Sequence, residues 1–210
     1  MKRWKRLVLI LMVITLLGAG TTVQAASKDV TKQYKKQVSK MLKNFDWYLG
    51  YSFGQGIEFK FDVYTRTTMV YYKNMYKNLL KIDGKSVSYA KKKCASDMKT
   101  YFGNKTVKLK KFSGFGNYKQ PSDLIVNRDN KVKYIGGDWG EGKPSGKVVQ
   151  IKKKGTKYEV LYDIAIKAYY CGRREPEYDR YLGRFRITLK RANNKYGFII
   201  TNMKRIVNAF

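Results

Sequence analysis

The chain has 210 residues, 43% hydrophobic and 15% aromatic, with 45 Lys and Arg against 15 Asp and Glu and no His. That apolar content can fill a core and argues against a largely disordered chain. The missing His excludes Ser-His and Cys-His nucleophilic pairs and His-based zinc sites, and the formal net charge of +30 points to polyanionic partners.

In chain order, the first feature is an address. Lys2, Arg3, Lys5 and Arg6 precede an apolar run from Leu7 to Ala19, and small residues follow to Val23-Gln24-Ala25-Ala26. This basic start, short apolar core and A-x-A-like end read as a secretory signal peptide over residues 1–26, cleaved after Ala25. The run falls short of the roughly 20 residues a membrane-spanning helix needs. A lipoprotein would need a Cys at the cleavage site, and the cysteines are Cys94 and Cys171. Residues 27–210 are then one secreted domain, and removal of the four basic residues leaves 41 Lys and Arg against 15 acids, a net charge of +26.

Lys28 to Leu49 predicts a helix. Val30, Tyr34, Val38, Met41, Leu42, Phe45 and Leu49 fall at helical spacing, Ser27 can cap it, and Gly50, Gly54 and Gly56 break it. A second helical stripe, Ile57, Phe61, Tyr64, Thr68, Tyr71, Met75, Leu79 and Ile82, predicts a helix from about Glu58 to Lys81, closed by an Asp83-Gly84 turn. A third helix starts at Ser88, buries Ala90, Cys94, Met98, Tyr101 and Phe102, and stops at Gly103-Asn104. Val107 and Leu109 suggest a short edge strand, and Ser113 to Asn130 an irregular connection.

The pattern then changes to alternation. Strands are predicted at Lys131–Gly136, Lys147–Lys153, Lys157–Tyr170, Gly183–Arg191 and Lys195–Val207, with turn chemistry at Gly136-Gly137-Asp138, Gly155-Thr156 and Asn193-Asn194. Tyr158, Val160, Tyr162, Ile164, Ile166, Ala168 and Tyr170 share one face, and Phe185, Ile187 and Leu189 alternate with Arg184, Arg186 and Lys190. Helices first and an antiparallel meander afterwards make an α+β fold, with N-terminal helices packed on one face of a bent sheet.

The segments "TKYEVLYDIAIKAYY" and "GRFRITLKRANNKYGFIITNMKRI" carry a resemblance. A long strand, a return strand, an Asn turn and a final strand ending in "MKRI" are similar to exported bacterial proteins of the NTF2-like, or cystatin-like, α+β cone class. The resemblance covers roughly Lys131 to Phe210 and reaches the helices through their order alone. It implies a cone and a homodimer paired through the sheet. It transfers no function, because that class holds both binding modules and enzymes.

Asp163 is the catalytic candidate: a carboxylate in the most apolar strand, able to act as a general base if it lies inside the cone. The alternation places it opposite the apolar set, where it would pair with a neighbouring Lys or Arg. Arg184, Arg186 and Lys190 fall on one strand face about 7 Å apart per step, spaced to follow a polyanion. Arg173 and Arg174, in the loop Gly172–Leu182, can grip phosphate or carboxylate, unless Glu175, Glu177 and Asp179 neutralise them. Gly136–Gly146 reads as a flexible connection in which Trp139 can anchor a partner. Lys91–Lys93, Lys108–Lys111 and Lys152–Lys154 are further basic clusters. Cys94 and Cys171 can form one disulfide or stay buried thiols. No motif calls for a metal or a cofactor, and no catalytic signature is present. The expectation is a non-catalytic binding domain, retained at the cell wall by anionic polymer or the membrane surface. Export argues against nucleic acid. The alternative is a small-ligand pocket or enzyme using an acidic and Tyr site in the cone.

Overall fold

Apolar residues at every second position build the principal sheet. The computed structural model describes residues 26–54, 59–73, 82–111, 124–134, 142–170 and 173–208. In it β5 (Gly142–Lys154), β6 (Lys157–Tyr170), β8 (Arg180–Arg191) and β9 (Phe198–Asn208) pair antiparallel in the order β5-β6-β8-β9. A two-residue β1 (Lys28–Asp29) lies along the outside of β5, and β7 (Arg173–Arg174) folds back on the end of β6. Val148 and Ile151, Tyr158 to Ile164 at alternate positions, Phe185, Ile187 and Leu189, and Phe198, Ile200 and Met203 are buried on one face. The residues between them face water, so the sheet is packed on one side only. Irregular register at Val148/Gln150, Ile164/Ala165, Arg184/Phe185 and Thr188/Leu189 marks bulges, which bend and twist strands.

Three helical segments cover the apolar face. The first runs through α1 (Thr31–Leu42), a 3₁₀ turn (Lys43–Phe45) and α2 (Asp46–Gly54); the others are α3 (Val63–Lys73) and α4 (Val87–Phe102). Val38, Met41, Leu42, Phe45 and Leu49 are fully buried, as are Met69, Val70 and Met98. Aromatic edges join helix to helix and helix to sheet: Phe45 meets Tyr101 at 4.8 Å, and Phe53 meets Phe185 at 5.2 Å. Lys73 reaches Asp97 at 2.6 Å and ties α3 to α4. Ser86 caps α4 by accepting the Tyr89 N–H at 3.2 Å, and Gly103, with φ of 77°, ends it. Among the described residues no helix is long and apolar enough to cross a membrane.

Several boundaries differ from the sequence expectation, each for a tertiary reason. The first helix begins at Thr31 because Lys28 and Asp29 pair with Lys153 and Lys152. Its entry is held by Asp29, which accepts the Thr31 N–H at 2.8 Å, and not by Ser27. The helix then passes through Gly50, which faces Pro144: a Cβ there would sit 2.6 Å from the proline ring. Gly50 marks a close approach of helix to strand and not a break. The second helix starts at Val63, where Asp62 accepts the Thr65 N–H at 2.8 Å, and its expected ends at 58 and 74–81 lie outside the described residues. The strand expected at Lys131–Gly136 is not part of the meander. It forms β4 (Val132–Tyr134) in a separate three-stranded sheet with β2 (Lys110–Lys111) and β3 (Leu124–Val126), in the order β2-β3-β4. The expected signal peptide lies outside the described residues except for Ala26.

Candidate functional site

The outer face of the sheet carries the charge. Its positions line up across β5, β6, β8 and β9 in rows fixed by the register. One row is Lys147–Asp163–Arg184–Val207, the next Gln150–Leu161–Arg186–Lys204, the next Lys152–Glu159–Thr188–Asn202, and the last Lys154–Lys157–Lys190–Ile199. Asp163 and Glu159 are the acids in these rows. Neighbouring strands lie about 4.8 Å apart, so each residue feels its row neighbours directly.

These rows separate the predicted basic residues into two groups. Asp163 is on the outer face and takes two hydrogen bonds from the Arg184 guanidinium, at 2.5 and 2.9 Å. It is therefore absent from the interior, where general-base chemistry would need it. The same pairing holds the Arg184 guanidinium above its ordinary pKa. Arg186 lies 3.9 Å and Lys154 4.0 Å from Glu159. Lys190 sits in the row that contains no acid. Like charges directly opposite one another across a sheet are unfavourable, and Lys154, Lys157 and Lys190 are such a set. The cationic excess is thus greatest at the β5–β6 hairpin end, while Arg184 is the most fully neutralised member of the predicted row.

Arg173 and Arg174 form β7, and Pro176–Tyr178 a 3₁₀ turn, so the expected charged loop is partly ordered backbone. Arg174 pairs with Asp179, donates to the Ala168 carbonyl at 3.1 Å and covers the Tyr169 ring at 5.6 Å. Asp179 is held below its ordinary pKa by that guanidinium. Arg173 is exposed. Cys94 is a buried free thiol on α4, and burial pushes it up to about 11, too high for a reactive thiolate near neutral pH. Its expected partner Cys171 lies outside the described residues, as does Trp139.

Sequence reasoning missed the acid that does lie inside. Asp46 opens α2 and is 7% exposed. One carboxylate oxygen accepts the Tyr162 hydroxyl at 2.6 Å and the other the Gly146 N–H at 2.8 Å. Burial raises the carboxyl to about 6 against the pull of those two donors. A Cβ on Gly146 would lie 2.1 Å from the Tyr162 hydroxyl and 2.4 Å from Asp46. The glycine exists so that β5 can approach the pair. Nothing in the helical pattern around Asp46 marks it as buried; a lone Gly in an alternating strand was the available signal.

No family model, curated protein or solved structure matches the chain.

Proposed function

We propose that the protein is an exported binding domain that holds anionic cell-surface polymer on the outer face of its sheet. The observation that carries this reading is the row Lys154–Lys157–Lys190, three cations side by side across three strands with no acid among them. Such a row is stabilised when a polyanion replaces the missing counter-charge. The signal-like start of the chain supports an extracellular setting, and that setting supplies phosphate-rich wall polymer and anionic lipid in place of nucleic acid. The bent, one-sided sheet under N-terminal helices is consistent with the NTF2-like cone, with residues 27–210 as its single domain. The test is binding of isolated anionic wall polymer across a salt series: exposed charges are screened over about 8 Å at physiological ionic strength, so affinity should fall steeply with salt.

A second reading, a ligand or enzyme site inside the cone, has the Asp46–Tyr162 pair behind it. Both carboxylate oxygens of Asp46 are already used, and the Gly146 backbone closes on the pair, which favours a structural role. Loss of small-ligand binding in Asp46→Asn, with the fold intact, would revive the second reading.

A further inference from the structure

The cation-rich end of the sheet also holds a pocket. A cavity of about 380 Å³ is lined by Lys153, Gly155, Thr156, Tyr158, Lys190 and Arg191. It lies where the β5–β6 hairpin turns at Gly155, whose φ of 56° lets the chain reverse tightly. Tyr158 is the aromatic residue of the lining, and behind it Tyr34, Tyr158 and Phe198 meet edge to face at 5.1 to 5.5 Å. Arg191 lies over this cluster, 4.8 Å from the Phe198 ring and 5.6 Å from Tyr34, while Lys153 stands 6.0 Å over Tyr158. The rings hold the guanidinium in one orientation before any ligand arrives, which lowers the ordering cost of binding. None of Lys153, Lys190 and Arg191 has a carboxylate partner among the described residues. Glu159, the nearest acid along the outer face, faces Lys154 and Arg186 instead.

We infer that this pocket is a specific site for one phosphoryl group. Arg191 supplies a planar fork that matches two phosphate oxygens, Lys153 and Lys190 add point charges, and the Thr156 hydroxyl is a further donor. The site rests on the surface-polymer reading and refines it: the sheet rows attract the chain of charges without regard to sequence, and the pocket fixes one phosphate in register.

The test is titration of the full chain, at constant ionic strength, with glycerol phosphate and separately with inorganic phosphate, followed by calorimetry and by amide shifts. Saturable binding of either, with shifts centred on Gly155, Thr156 and Arg191, is expected. Preference for the ester identifies a polymer unit as the source; equal affinity identifies the phosphoryl group alone. The pair Lys153→Gln with Lys190→Gln should weaken binding by about tenfold or more. Lys147→Gln with Lys204→Gln removes the same charge from the same sheet, away from the pocket, and should change it by less than about twofold. Arg191→Lys keeps the charge and loses the fork, and should also weaken binding, with thermal unfolding as the check on the fold. No saturable binding, or equal weakening by both charge-removing pairs, overturns the site. Polymer binding that survives while glycerol phosphate fails to bind would refute the pocket and leave the sheet reading standing. The reverse result would do the opposite.

Discussion

Asp46 is a buried carboxylate at which burial and charge conflict. Its carboxyl is raised from an ordinary 3.8 to about 6 by desolvation. A raised acid binds its proton more tightly in the folded state than in the unfolded one. Stability therefore falls as pH rises from about 4 to about 6, and the full penalty persists above that window. The size is roughly 3 kcal/mol by linkage. Asp46→Asn keeps a carbonyl acceptor and removes the titration. Urea unfolding as a function of pH should show a declining stability for the parent relative to Asp46→Asn between pH 4 and 7; parallel curves would contradict the burial argument. Gly146→Ala tests the same contact by size. Its new methyl would overlap the Tyr162 hydroxyl and Asp46, and the expected loss is about 1–3 kcal/mol in the same assay.

Among elements, the informative contact is α2 against β5. Gly50 in α2 faces Pro144 at 2.6 Å from its would-be Cβ. Alanine normally gains about 1 kcal/mol over glycine inside a helix. Here Gly50→Ala should lose about 1–3 kcal/mol by overpacking, read as a lower urea midpoint. A stabilised variant would show that helix and strand can separate without cost. Both glycines illustrate what the sequence could and could not say. β6 was legible in full, Lys157 to Tyr170, because Tyr158, Val160, Tyr162 and Ile164 alternate without interruption. α4 was legible from its stripe and its Gly103 stop. Gly50 read as a breaker because close approach between elements distant in sequence leaves no local signal. β1 and β3 were missed, and the strands expected at Lys131–Gly136 and near Val107 and Leu109 were not recognised as a separate sheet, for a related reason: two or three residues are too few to show a period, and their hydrogen bonds come from partners elsewhere in the chain. Asp163 was placed correctly by alternation as an outward residue, yet Arg184 as its partner required the register.

At the scale of the whole molecule, one face of the sheet builds the core and the other gathers cations. The division follows from alternation: the same period that sends Phe185, Ile187 and Leu189 inward sends Arg184, Arg186 and Lys190 outward. Among these, the hairpin end keeps the largest cationic excess, with Lys154 4.0 Å from Glu159 as its one ion pair among the described residues, so polymer affinity should depend more on Lys154, Lys157 and Lys190 than on Arg184. Arg184→Gln also strips Asp163 of its partner and should mainly reduce stability, by about 1 kcal/mol for a partly buried pair, which thermal unfolding can separate from binding. The most direct test of the central claim is the affinity of the protein for isolated anionic wall polymer from low to high salt, compared with Lys154→Gln/Lys157→Gln/Lys190→Gln. The account predicts tight binding at low salt that collapses as salt rises, and a marked loss in the triple variant. Binding that is absent at low salt, or unchanged by salt and by the triple substitution, would contradict it.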